Sequence, residues 1–261
     1  MKLENISLVL RPRGAYEATD LGVRLLQRNA GPVYKAWLVF VLPFTLSLVT
    51  LHGVYPWLPP LLIWWFKPLY DRLVLFVLSR AVFGERIRIA DVAAHWRVWL
   101  GNGLFGALTW RRFEFTRAFS LPIYLLERLN GQRRRQRSKV LQKNTRSQAI
   151  LAQVAYIHLE IAIELSAIAL LVLMLPVYAN LPVWSWIIGQ DVPAAWNIVT
   201  ALCEITAVSV IEPAFVAAGF ALYLNRRVEL EAWDIELSLR RAIEEDERAL
   251  ARLGVEGMRP A

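Results

Sequence analysis

The chain alternates between long apolar stretches and strongly charged ones, and the apolar stretches are longer than a soluble core usually requires. Residues 36–66 and 165–190 contain no Asp, Glu, Lys or Arg. A helix that crosses the membrane needs about 20 predominantly apolar residues, so these stretches favour a bilayer. The pattern predicts four membrane spans, at residues 34–51, 57–83, 150–178 and 194–224. Within the second span, Lys67-Pro68 predicts a break or kink.

The distribution of Lys and Arg predicts how these spans are oriented, because loops on the cytoplasmic side carry an excess of both. The loop 84–149 contains twelve Arg and two Lys against four acidic residues, and the first 35 residues contain six Lys and Arg. The connections 52–56 and 179–193 contain neither. With four spans all basic segments fall on one side, which places both termini and the long loop in the cytoplasm.

These features together predict an all-α fold. We expect a polytopic transmembrane helix bundle over residues 1–225, which includes the basic loop 84–149, and a charged cytoplasmic helix and tail over residues 226–261. Residues 14–28 and 92–110 mix apolar and polar positions at helical spacing. Such segments are typical either of interfacial helices on the inner leaflet or of helices packed against the bundle.

Composition agrees with a membrane protein. Of the 261 residues 56% are hydrophobic and the mean hydropathy is +0.38, whereas soluble domains are about 45–50% apolar. The eleven tryptophans fit a protein with two lipid–water interfaces. The N-terminal residues carry several charges and no apolar core, so they do not predict a cleavable signal. A single cysteine, Cys203, excludes an intramolecular disulfide.

Ionisable residues inside the predicted spans are candidate functional residues, since charge at bilayer depth is costly and normally faces protein or water. Glu160 and Glu164 are four residues apart and therefore share one face of the third span. Glu212 belongs to a polar stripe of the fourth span, and Asp71 and Arg72 are central in the second. We predict that Asp71, Arg72, Glu160, Glu164 and Glu212 form a buried polar cluster.

The predicted spans also carry an excess of negative charge. Lys67 and Arg72 supply two positive charges, and five carboxyl groups oppose them: Asp71, Glu160, Glu164, Glu204 and Glu212. An excess of three predicts carboxyl groups that are protonated, hydrated or bound to a cation, as in a proton or cation pathway. The alternative is a structural role, in which neutral carboxyl groups hydrogen-bond across helices.

The densest basic run, residues 132–143 (QRRRQRSKVLQK), predicts contact with anionic headgroups of the inner leaflet, which attract polybasic segments close to a span. The residues expected to make this contact are Arg133, Arg134, Arg135, Arg137 and Lys139. Nucleic-acid binding is the alternative. The run has no interleaved aromatic residues and no nucleic-acid-binding fold around it, so we predict no nucleic-acid partner.

The sequence contains no complete motif for catalysis or for a cofactor. The Glu-x-x-His spacing of carboxylate di-metal bundles is absent, and the three histidines fall in three different predicted regions, which disfavours haem. Nucleophile-elbow, P-loop, zincin and Rossmann motifs are also absent. We therefore predict no catalytic residue, no metal and no cofactor.

Three segments carry a resemblance to a known family: 223–237 (YLNRRVELEAWDIEL), 67–80 (KPLYDRLVLFVLSR) and 108–112 (LTWRR). Together they resemble a family of uncharacterised bacterial multi-pass inner-membrane proteins. More loosely, the plan is similar to the membrane region found beside glycerophosphodiester phosphodiesterase domains. The resemblance implies a bacterial inner membrane and carries over no catalytic residue.

The function expected from the sequence is that of a non-enzymatic scaffold or accessory subunit of a membrane assembly. Its partners would be membrane lipids, and a protein bound through the loop 84–149 and the tail 226–261. The alternative is a small transporter or a proton- or cation-coupled subunit that uses the carboxyl groups within the membrane. A third hypothesis is an enzyme that modifies lipids at the basic inner face.

Overall fold

The computed structural model describes residues 13–53, 55–85, 87–101, 103–127, 129, 131–174, 185–186 and 192–231. Within these ranges the chain is helical and contains no strand, which confirms the all-α prediction. The greater part of the C-terminal tail, residues 232–261, lies outside the described residues.

The first half of the described chain is built from five α-helices, which are α1 (Ala15–Arg28), α2 (Ala30–Ala36), α3 (Leu42–Val49), α4 (Leu58–Trp65) and α5 (Lys67–Val82). A π-helical turn, Trp37–Val41, makes α2 and α3 continuous, and a 3₁₀ turn, Thr50–Gly53, follows α3. The remaining helices are α6 (Ile89–Ala94), α7 (Trp96–Leu100), α8 (Leu104–Leu108), α9 (Arg117–Leu125), α10 (Gly131–Gln142), α11 (Arg146–Met174) and α12 (Ala194–Glu231). A further 3₁₀ turn, Trp110–Phe113, precedes α9.

Three helical stretches are long and apolar enough to cross a membrane, namely Ala30–His52, Arg146–Met174 and Ala194–Glu231. They coincide with the first, third and fourth predicted spans. Residues 175–178 of the third prediction lie outside the described residues. The chain thus has the helices that a multi-pass membrane protein requires.

The second predicted span, residues 57–83, consists of two shorter helices that are separated at Phe66 (φ −85°, ψ 2°). Pro68 causes the break, because it has no N–H to donate to the carbonyl of Trp64 and its ring would clash with that carbonyl, whereas proline is tolerated in the first turn of a helix. The interruption lies one residue before the predicted Lys67-Pro68, and Lys67 begins α5. Every residue from 70 to 79 is buried, so α5 is a core helix.

The long helix α12 is the centre of the bundle, and α1, α5, α9 and α11 all pack against it. Within its most apolar 18 residues 78% are buried, whereas none are buried in the corresponding window of α11. Small residues allow α1 and α9 to approach α12 closely. A Cβ atom at Gly22 of α1 would lie 2.5 Å from the backbone oxygen of Ala217, and one at Gly219 would lie 2.3 Å from the Cβ of Ala118 in α9.

The two segments predicted as interfacial or packed helices differ in the structure. Residues 14–28 form α1, which buries Ala18, Leu25 and Leu26 in the core and is therefore packed against the bundle. Residues 92–110 do not form one helix. They are divided among α6, α7 and α8, with breaks at His95 and after Leu100.

The start of the described chain and the end of α12 lie side by side. The backbone N–H of Arg13 donates to Oδ1 of Asn225 at 2.8 Å, and Nδ2 of Asn225 donates to the carbonyl oxygen of Arg13 at 2.9 Å. Arg137 of α10 also pairs with Glu231 at the end of α12. Basic segments from three parts of the sequence therefore occupy the same end of the bundle, and α12 continues past the predicted domain boundary at residue 225.

Candidate functional site

Five ionisable side chains from four helices meet in the bundle core, and we call them the ion-pair cluster: Lys67 and Asp71 of α5, Arg117 of α9, Glu160 of α11 and Glu212 of α12. Lys67 pairs with Glu160, and its Nζ lies 3.1 Å from Oε2 of Glu212. Nη2 of Arg117 donates to Oε1 of Glu212 at 2.7 Å. Nε of Arg117 lies 3.0 Å from Oδ2 of Asp71, although the atoms lack the alignment of a hydrogen bond.

The cluster is shielded from its surroundings. Asp71 is 0% exposed, Glu212 2% and Lys67 6%. Removing a charge from water costs several kcal/mol unless a partner compensates it. Each carboxylate of the cluster has a cation within 4 Å, and each of the two cations touches two carboxylates. The five groups therefore depend on one another.

Three contacts hold Arg117 at the start of α9. The backbone N–H of Arg117 would otherwise lack an intrahelical acceptor, and it donates to Oε1 of Gln153 on α11 at 3.2 Å. The guanidinium of Arg117 lies 5.2 Å from the ring centroid of Phe215. One residue further on, Ala118 fits against Gly219. A side chain from a loop helix is thereby fixed between α5, α11 and α12.

Of the residues predicted for the cluster, the structure brings Asp71, Glu160 and Glu212 together. Arg72 lies elsewhere. Its Nη1 donates to the carbonyl oxygen of Gly101 at 2.6 Å and to that of Trp99 at 3.3 Å. Glu164 lies one turn beyond Glu160 and makes no ion pair with any described residue. The structure therefore does not place Arg72 and Glu164 in the ion-pair cluster.

Sequence analysis missed Arg117, because it assigned the whole of residues 84–149 to a cytoplasmic loop. A usable signal was present. The nine residues that follow Arg117, AFSLPIYLL, are uncharged and mostly apolar. An apolar stretch of this kind within a basic loop is consistent with a helix that enters the bundle.

The negative excess predicted from the sequence is smaller in the structure. Arg117 and its neighbour Arg112, which is 5% exposed, add two positive charges that were counted with the loop. Counted over the whole bundle, Lys67, Arg72, Arg112 and Arg117 then stand against five carboxyl groups, so the excess falls from three to one. The reason to expect a protonated or cation-binding interior is correspondingly weaker.

A cavity of about 180 Å³ adjoins the cluster and has a mixed wall. Its charged lining consists of Lys67, Arg112, Arg117, Glu160 and Glu212. Its aromatic lining consists of Trp64, Phe113, Phe115, Tyr156 and Phe215. The wall thus combines groups that bind charge with a broad apolar surface.

The basic run forms helix α10, and its charges are used in two ways. Arg137 pairs with Glu127 at 2.9 Å and with Glu231, and these two carboxylates raise the pKa of Arg137 although burial opposes the shift. Arg134 lies 4.9 Å from the ring centroid of Tyr124. The other predicted lipid contacts are exposed, namely Arg133, Arg135 and Lys139. Arg137 therefore anchors α10 to the bundle and leaves these three outside.

Comparison with known proteins adds no assignment. No protein-family model, curated protein or solved structure matches the chain. Within the described residues, no group of three or more His, Cys, Asp or Glu side chains is placed to hold a metal ion. The resemblance to bacterial inner-membrane proteins stays a prediction.

We expect Arg117→Gln to destabilise the protein by about 3–5 kcal/mol, because it leaves Asp71 and Glu212 buried with one cation fewer. The matched control is Arg80→Gln, whose ion pair with Glu85 is largely exposed, and it should cost less than about 1 kcal/mol. Unfolding of the purified protein in mixed micelles measures both. Equal effects of the two substitutions would contradict the role given to Arg117.

Proposed function

We propose that this chain is a non-enzymatic multi-pass membrane protein that acts as a scaffold or accessory subunit, and that the ion-pair cluster is a structural tie. The observation that carries this proposal is the double use of Lys67 and Arg117, each of which bridges two carboxylates. Groups committed to one another in this way hold helices together. They are poorly placed to accept a substrate, because each would first have to leave its partner.

The proposed topology has four crossings of a bacterial inner membrane, with both termini in the cytoplasm. Helices α4 and α5 together supply the second crossing, since residues 58–82 exceed the ~20 residues that a span requires. The hydrogen bonds between Arg13 and Asn225 support an even number of crossings, because they hold the start of the described chain and the end of α12 at the same end of the bundle. The basic helix α10 lies at that same end, as the positive-inside rule requires of a cytoplasmic face.

The proposed contact surface for a partner is the outer face of α10. Arg133, Arg135 and Lys139 are exposed there, while Arg137 fixes the helix to Glu127 and Glu231. A rigid helix with outward positive charges is suited to an acidic protein surface or to anionic headgroups. The tail beyond residue 231 follows α12 in sequence, and we propose that it takes part in the same contact.

We expect Arg133→Glu with Arg135→Glu to reduce the size or yield of the assembly that the protein forms in its native membrane, because like charges then face an acidic partner. The matched control is Arg24→Glu with Arg28→Glu, which reverses two exposed charges on α1. Blue-native electrophoresis after mild solubilisation gives the size, and quantitative cross-linking gives the yield. An assembly that is the same in both variants and in the native protein would refute a scaffold that binds through α10.

A second candidate function is a proton- or cation-coupled subunit, and one observation favours it. Glu204 is 8% exposed on α12, and its Oε2 has no hydrogen-bond partner in the described part of the chain. Glu160 and Glu164 lie one turn apart on α11, and Glu212 lies on α12, which packs against α11. Carboxyl groups arranged along two facing helices are typical of proton relays in membranes.

If the second candidate is correct, Glu204→Gln should reduce proton flux into liposomes by at least about tenfold, because a relay fails when one group cannot ionise. The control is Glu85→Gln, which removes an exposed carboxyl group. A pH-sensitive dye inside the vesicles reports the flux under an imposed potential. This candidate is eliminated if vesicles that contain the native protein show the same proton flux as protein-free vesicles.

A further inference from the structure

Among the residues that the structure describes, Arg112 is a buried cation without a carboxylate partner. It is 5% exposed, and its Nη2 donates to the backbone oxygen of Trp64. The guanidinium also lies 3.8 Å from the ring centroid of Trp64. Its Nε and Nη1 have no hydrogen-bond partner in the part of the chain that the structure describes, and no carboxylate oxygen lies within 4 Å of it there. Buried polar groups are nearly always hydrogen-bonded, so these two donors call for an acceptor.

The space beside Arg112 is the cavity of about 180 Å³, which Arg112 lines together with Lys67 and Arg117. Only two carboxylates, Glu160 and Glu212, share this wall, and both are already held by Lys67. Asp71 compensates Arg117 from behind, although it does not line the cavity, so three cations stand against three carboxylates. Arg112 is the lining cation that makes no ion pair with a described residue.

The mouth of the cavity is apolar and open. Phe113 is 68% exposed, Phe115 63% and Ile157 44%, and all three belong to the lining. Gln153 and Glu160, which also line it, lie seven and fourteen residues after Arg146, or roughly 10 and 20 Å along α11. In the proposed topology this depth corresponds to the cytoplasmic leaflet, between its headgroups and the middle of the bilayer.

The chemistry of Arg112 selects among anions. A guanidinium presents its N–H groups as a planar fork that matches two oxygens of a phosphate or carboxylate. Burial, and next the charge of Arg117, lower the pKa of Arg112 to about 10, which leaves it charged at neutral pH. An anion in the cavity would compensate this charge and accept from one edge of the guanidinium, since Nε and Nη1 point to opposite edges.

We propose that the cavity binds a phosphate-bearing anion through Arg112, with its apolar portion leaving between Phe113, Phe115 and Ile157. Two classes of molecule carry such a phosphate group, namely anionic phospholipids and soluble phosphate compounds. The aromatic mouth favours the lipid. This proposal takes its leaflet from the proposed topology, but the site itself does not depend on the scaffold function.

The test uses the full chain in nanodiscs, with phosphatidylglycerol present at low mole fraction in phosphatidylcholine. Native mass spectrometry counts the lipids that remain bound after the disc is removed. We expect one retained phosphatidylglycerol per chain, and a roughly tenfold loss in Arg112→Gln, as removal of charge-assisted hydrogen bonds implies. The control Arg24→Gln removes an exposed arginine of α1 outside the cavity and should retain the lipid.

A second pair of variants decides the matter if Arg112→Gln does not fold. Ile157→Trp fills the mouth and should also lose the lipid, whereas Ile161→Trp lies outside the lining on the exposed side of α11 and should not. Glycerol 3-phosphate and inorganic phosphate, added to discs of phosphatidylcholine alone, give the soluble arm. Stabilisation by these at millimolar concentration that depends on Arg112 would assign the site to a soluble phosphate.

Retention that is equal in Arg112→Gln and Arg24→Gln would overturn the proposal, as would equal retention in Ile157→Trp and Ile161→Trp. Neither result bears on the assembly that α10 is proposed to form. Conversely, an unchanged assembly after charge reversal on α10 would leave lipid retention at Arg112 intact.

Discussion

A buried charge must have a partner, and in this protein that constraint joins a loop to the bundle. Asp71 and Glu212 are buried on α5 and α12, where water cannot compensate them. Lys67 forms ion pairs with Glu212 and Glu160 but not with Asp71. Arg117 supplies the missing charge by lying within 3.0 Å of both Asp71 and Glu212. The loop 84–149 therefore cannot remain apart from the bundle without leaving carboxylates uncompensated.

The remaining features of the site follow from the insertion of α9. Ala118 can approach α12 only because residue 219 is glycine, and Gln153 of α11 accepts the backbone N–H that begins α9. Arg112, Phe113 and Phe115, which precede α9, then lie beside the ion-pair cluster. This brings Arg112 beneath the aromatic mouth and encloses the cavity next to the cluster. The structural tie and the proposed anion site are thus two consequences of one packing arrangement.

Much of the fold could be predicted from the sequence, because its causes are local. The apolar stretches at residues 34–51 and 194–224 are long enough to identify spans, and Pro68 identifies a break. The shared face of Gln153 and Glu160 follows from helical spacing. These predictions require only the period of the helix and the length of a stretch.

The parts that sequence reasoning missed depend on partners distant in the chain. Asp71 and Arg72 are adjacent, so their side chains point about 100° apart and cannot both face the cluster. Helical spacing shows that only one of these two side chains can face the cluster, but it does not show whether that is Asp71 or Arg72. Arg117 is 95 residues from Glu212 in sequence, and its apolar neighbours were outweighed by the basic composition of the loop. Only the packing of α9 on α12 reveals the pair.

The interaction between Arg117 and Glu212 can be measured directly by a double-mutant cycle. The free energy of unfolding in mixed micelles would be compared for the native protein, Arg117→Met, Glu212→Met and the double variant. A coupling energy above about 1.5 kcal/mol is predicted, since two buried groups in contact do not act additively. Additive effects, within about 0.5 kcal/mol, would mean that the two side chains do not meet and that the loop lies outside the bundle.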